Sequence, residues 1–264
     1  MTNPKGFGLQ PLKKDNRDFK LGAVFPQFAI DQIPQKFIVA EPLSLKDQQD
    51  SDMCGDFGAT LSSETQEGKL LVPGPAWARI KQEQGKTADW GIDHRSILKA
   101  HAEYGNPAAE DLENPKINYS DPEVRTWDWW KNKFPGIEAL MAKHRKQSYF
   151  FVDGNYDHFR NIKIALYQFA KFKRYVTWGT IWNPQWGEVL PDEKPTDGFG
   201  HLTTIIGFDG DYLLVQNSYP NMGLNGRHKV PAKLVNWSIE RYGGGMLVDL
   251  PAEVVKKIKT IKVS

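Results

Sequence analysis

The chain has 264 residues, 34 Lys and Arg against 32 Asp and Glu, 40% hydrophobic and 12% aromatic residues, and a single cysteine. That length can bury one large core or two lobes without staples, and one thiol excludes an internal disulfide scaffold and any Cys-rich zinc or iron–sulfur site. A net charge of +2 gives no global electrostatic case for nucleic acid.

Residues 1–43 read as an extended arm, because Pro4, Pro11, Pro26, Pro34 and Pro42 exclude long helices and leave only anchors such as Phe28, Phe37 and Ile38 to drape over a core. The arm has no continuous apolar run of the signal-peptide kind. The longest apolar stretches elsewhere fall far short of the roughly 18 residues of a spanning helix. The expectation is a protein without membrane or nucleic-acid partners, cytoplasmic, phage-associated or released by lysis, and monomeric.

A helix is predicted over Ser51–Gly68, capped by Ser51 or Asp52 and ended by Gly68, which puts Cys54 in its first turn. Further helices are predicted over Pro75–Gln84 and Asp93–Tyr104. Residues 106–160 are irregular, with a helix near Gly136–His144 and a strand Ser148–Val152. Asn161 caps a further helix to Lys173. Strands follow at Tyr175–Trp182, His201–Phe208, Tyr212–Asn217, Arg227–Val230 and Gly245–Leu250. Helices first and strands later imply an α+β protein with a helical lobe followed by an antiparallel β-rich lobe. The last residues, 251–264, form a basic tail.

Cys54 alone is ambiguous: free cysteines are commonly buried apolar residues, but unpaired amides at a helix start favour a thiolate. A base is therefore required. Asp209-Gly210 is a hairpin turn signal, and the hairpin folds His201 back to face residues 217–219, with Asn217 able to orient the imidazole.

These three positions resemble the papain-like cysteine peptidases, particularly compact microbial members, over roughly residues 44–250. The matching segments are Lys46-Asp47-Gln48-Gln49-Asp50-Ser51-Asp52-Met53-Cys54-Gly55-Asp56-Phe57, Gly200-His201 through Asp209, and Val215-Gln216-Asn217-Ser218. The chain order Cys, His, Asn agrees with that family, the His spacing within its range and the Asn spacing slightly beyond it. The resemblance implies a two-lobe fold, lobes about 44–150 and 151–250, with the active-site cleft between them. It also implies thiol-dependent peptide hydrolysis without cofactor or metal. Cys54 would be the nucleophile, His201 its acid/base partner, Asn217 the orienter, and Gln48, six positions before Cys54, an oxyanion donor with the Cys54 amide. The substrate would be a peptide or protein.

Two departures bear on activity. Trp is replaced after the nucleophile by Gly55-Asp56, a carboxylate that favours the helix terminus but opposes a nearby thiolate, and Asn-Ser-Trp becomes Asn217-Ser218-Tyr219. They motivate a rival expectation, a catalytically degenerate module that binds a peptide or partner; transglutaminase-like or amidase chemistry is the rival within enzymes. The arm is too short for the family's long helical prosegment, so no zymogen of that kind is expected. Trp127, Trp129 and Trp130 are expected to fill core, no His pair has metal-ligand support, and Asp153–Asp157 reads as a turn rather than a calcium loop.

Overall fold

The computed structural model describes residues 8–13, 15, 33–86, 91–152 and 157–249. The basic tail, residues 251–264, lies outside the described residues, as does most of the Asp153–Asp157 turn. The arm contributes two short strands, β1 (Leu9–Gln10) and β2 (Lys36–Ile38). Helix α1 (Cys54–Glu67) follows, buried along almost its whole length, then α2 (Pro75–Glu83), β3 (Ile92–Asp93) and α3 (His94–Glu103).

The expected helix starts are sharpened. Met53 rather than Ser51 or Asp52 precedes α1 and supplies no side-chain cap, while Gly68 closes it in the left-handed conformation. Asp93 caps α3 by accepting from the Ser96 amide. Next come α4 (Trp127–Lys133), α5 (Ile137–Ala142), β4 (Ser148–Phe151) and α6 (His158–Gln168). Asp157, not Asn161, caps α6; its carboxylate accepts from the Arg160 amide, and Asn161 lies inside the helix. Helix α4 was not expected. Its Trp127 and Trp130 are buried one turn apart, as core indoles.

The remaining strands are β5 (Val176–Trp182), β6 (Phe199–Asp209), β7 (Tyr212–Gln216), β8 (Arg227–Pro231) and β9 (Gly244–Val248), interrupted by an unexpected helix α7 (Ala232–Tyr242). The antiparallel sheet runs β4-β9-β5-β6-β7-β8, with β2 added beside the turn end of β6. Next to the turn, Asp209 faces Tyr212, one step beyond the expected register. A bulge between Ile205 and Gly207 restores it, so that Thr204 faces Gln216.

Among the described residues two large apolar cores result, with a small third cluster of Leu61, Tyr175 and Ile206. One gathers α1, α2, α3 and the indoles of α4; the other lies between the sheet, α6 and α7. Strand β6 packs directly on α1, where Gly58 makes the approach possible: a Cβ there would lie 2.6 Å from Leu202 Cδ2. Thr204 Oγ1 donates to the Gly58 carbonyl at 2.9 Å. This contact brings the start of α1 against the segment of β6 that carries His201.

Candidate active site

Cys54 is the first residue of α1 and its thiol is buried. Burial pushes its pKa up to about 12; the Leu202 backbone amide opposes that shift, the Asp52 charge adds to it, and the Gly55 and Cys54 amides at the helix start lower it. The carboxylate acting on the thiol is thus Asp52, not Asp56. Asp56 points into the helical lobe, where its oxygens accept from the Gly74 amide, from Asn106 Nδ2 at 3.0 Å and from His101 Nε2 at 2.7 Å. These partners, distant in sequence, take up the Asp56 carboxylate oxygens.

On β6, His201 Nε2 lies 2.8 Å from Asn217 Oδ1. An amide oxygen only accepts, so Nε2 carries the proton and Nδ1 is left to accept one. The ring is enclosed by aromatics: Tyr219 stacks on it at 5.4 Å, and the Trp182 and Phe199 rings meet it edge-on at 5.3 and 5.9 Å. Burial is the main cause that lowers the His201 pKa to about 4; the Asn217 bond raises it and the His228 charge lowers it further. Tyr219 and Trp182 thus cover the His–Asn bond where indoles after the Asn were missing.

Gln48 is buried, as an oxyanion donor would be. Its Nε2 donates to Ser51 O at 2.7 Å, leaving its second amide hydrogen, and its Oε1 accepts from Ser218 Oγ at 2.5 Å. The Gln48 backbone amide also donates to Ser218 O at 3.0 Å. Ser218 thereby ties the Gln48 loop to the segment after β7 that carries Asn217, the hydrogen-bond partner of His201. Adjacency to Asn217 in sequence was the only signal for this role.

The arm does more than drape over a core. Leu9 joins one apolar core and Phe37 packs on the other, while residues 8–13 thread the interface between the two sets of elements. A Cβ on Gly8 would lie 2.4 Å from Cys54 Sγ, and a Cβ on Gly200 would lie 2.0 Å from the Leu9 carbonyl oxygen, so two adjacent arm residues cover the thiol and the backbone next to His201. Strand β1 pairs in parallel with β3, and Gly8 O accepts from the Ile92 amide at 3.1 Å. Leu12 N donates to Arg241 O at 2.9 Å, and Arg95 Nη2 donates to Lys13 O at 2.7 Å. Among the described residues, no hydrogen bond joins Cys54 Sγ to the His201 ring in this arm-covered arrangement.

No His, Cys, Asp and Glu cluster suited to a metal ion occurs among the described residues, and no helix among them is long and apolar enough to cross a membrane. His94 and His101 share a face of α3 but diverge: His94 bonds Thr177 Oγ1 at 2.7 Å, whereas His101 serves Asp56.

This fold is that of the papain-like cysteine proteases. The chain is similar to xylellain, a cysteine protease from Xylella fastidiosa, with TM-score 0.73 and 15% identity over 93% of this chain and 97% of that one. It is also similar to proCathepsin B S9 from Trypanosoma congolense, with TM-score 0.59 and 12% identity over 92% and 83% of the two chains. The bromelain protease from Ananas comosus, in complex with the E64 inhibitor, aligns with TM-score 0.57 and 16% identity over 83% of this chain and all of its own. No protein-family model matches the chain, and no curated protein matches it.

Proposed function

We propose that the protein is a cysteine peptidase that hydrolyses peptide bonds through an acyl-enzyme on Cys54. The observation that carries this is the His201–Asn217 pair, with Nε2 engaged at 2.8 Å and Nδ1 therefore the proton acceptor, on the strand whose next amide, Leu202, acts on the Cys54 thiol. With the arm displaced, the thiol gives its proton to His201 Nδ1 and the sulfur bonds to the substrate carbonyl carbon. The oxyanion takes hydrogen bonds from the Cys54 amide and from the second amide hydrogen of Gln48. The carbon–nitrogen bond then breaks as His201 protonates the leaving amine. Water, deprotonated by the same imidazole, cleaves the thioester, releasing the acid and restoring the thiol. Asn217 holds the ring and its tautomer through both steps.

A second reading, a peptide-binding module without turnover, is favoured by one feature: the thiol is buried, protonated and covered by an extended segment of the chain itself. Stoichiometric labelling by a peptide epoxide, together with turnover of a diverse peptide library, separates the two. Cys54-dependent cleavage that is absent in Cys54→Ala and slowed in His201→Ala supports the peptidase; peptide binding with no cleavage in the arm-released protein overturns it.

A further inference from the structure

The peptide groups on both sides of Gly91 are held by buried charged side chains. The Gly91 N–H donates to Asp52 Oδ2 at 3.3 Å, and the Gly91 carbonyl accepts from Lys81 Nζ at 3.1 Å. Lys81, on α2, is wholly buried, with its amine 5.1 Å from the centre of the Trp77 ring. Asp52, also buried, faces Arg125 Nε at 3.3 Å and stands two residues before Cys54.

The carbonyl that Lys81 holds and the N–H of Ile92 belong to one planar peptide group, so fixing the oxygen aims the hydrogen. That hydrogen is the one Gly8 O accepts at 3.1 Å. A cation on the oxygen also polarises the N–H, strengthening whatever bond it makes. The device is needed here because Gly91, at φ 72°, is a residue type with both hands of backbone conformation open to it, and its neighbouring peptide planes would otherwise turn freely. The arm already demonstrates the ligand chemistry of this edge: an extended backbone that presents a carbonyl to Ile92 beside the thiol.

We propose that Lys81, assisted by Asp52, is a positioning residue that aims and polarises the Ile92 N–H to dock the backbone of a peptide substrate. The proposal rests on the peptidase reading for its substrate, but the edge can be tested without it. Lys81→Met keeps the length of the side chain and removes the donor, at the stability cost of leaving the buried Gly91 carbonyl without it.

In the full-length chain, Lys81→Met should accelerate hydrogen exchange at the Ile92 amide by roughly 10-fold or more, while Leu98 in α3 keeps its rate. In a Gly8→Ala background, which opens the cleft, Lys81→Met should raise KM for a peptide substrate by roughly 10-fold and move kcat by less than about threefold. The rate of Cys54 alkylation by iodoacetamide, whose attack does not use the edge, should not fall, since loosening the arm can only expose the thiol further. Should Lys81→Met not fold, Lys81→Gln, whose amide is too short to reach the Gly91 carbonyl, carries the same comparison. Unchanged Ile92 exchange overturns the proposal whether or not the protein cleaves peptides. A fall in kcat at constant KM, or a parallel fall in alkylation, also overturns it. Failure of the peptidase reading shows separately, as absence of turnover in Gly8→Ala with intact Lys81.

Discussion

Replacing Gly8 with alanine should open the active site. The added Cβ would lie 2.4 Å from Cys54 Sγ and 2.7 Å from the Asp52 carbonyl oxygen, against ordinary contacts of about 3.5–4.0 Å. Neither neighbour is the far end of a flexible side chain; one is the first side-chain atom beyond a helix-bound Cβ and the other is backbone. Overpacking of this kind costs ~1–3 kcal/mol, comparable to the ~1.5–3 kcal/mol by which burying Leu9, the arm's apolar anchor, holds it down. At 1.4 kcal/mol per tenfold, the docked population should fall by about 5- to 150-fold. The assay is the second-order rate constant for alkylation of Cys54 by iodoacetamide at fixed pH, read by mass spectrometry with Cys54→Ala as blank. Alkylation of Gly8→Ala should be faster by that factor, and Leu9→Ala should act in the same direction. Alkylation of a folded Gly8→Ala protein at the unsubstituted rate would refute the reasoning, because the methyl group would then have been accommodated without moving the arm.

Asn217→Ala leaves the buried His201 Nε2–H without its acceptor, a loss of ~1–3 kcal/mol; on the peptidase reading, kcat/KM of the arm-released protein should fall by about 5- to 150-fold, and an unchanged value would remove Asn217 from the orienting role. Acidification should destabilise the fold through His201 and His94, whose pKa values burial lowers from 6.5 to about 4. The unfolded chain binds these protons first, so the stability contribution is complete above about pH 6.5 and is lost as pH falls toward 4, by up to about 3 kcal/mol for each group; denaturant midpoints measured from pH 7.5 to 4.5 should show this, with a smaller decline in His201→Gln. Asp56→Ala removes the carboxylate shared by Gly74, Asn106 and His101 and should cost ~3–5 kcal/mol of unfolding free energy, whereas a loss below ~1 kcal/mol would mean that the network is dispensable.

Several features were legible along the chain because short-range interactions create them. Cys54 heads a helix that the apolar residues at helical spacing form locally, and Gly68 ends that helix in a conformation favourable to glycine. The Asp209-Gly210 turn returns the chain so that Asn217 meets His201, even though a bulge at Ile206 sets the final register. Helices α4 and α7 carried buried residues at helical spacing, yet Pro, Trp and flanking strands hid them in single-sequence patterns.

By itself, then, the sequence determined the order and spacing of the candidate site residues, Gln48, Cys54, His201 and Asn217, and the local backbone that presents each. Tertiary structure alone decided their chemical environment. Asp56 is hydrogen-bonded by residues up to 50 positions away, Trp182 and Tyr219 close over His201, Lys81 reaches beneath Gly91, and Gly8 covers the thiol. The reason is physical. A cap, a turn or a hairpin is set by neighbours a few residues apart, whereas burial and the charges around a thiol depend on which distant surfaces pack together, and that packing leaves no periodic trace in the chain.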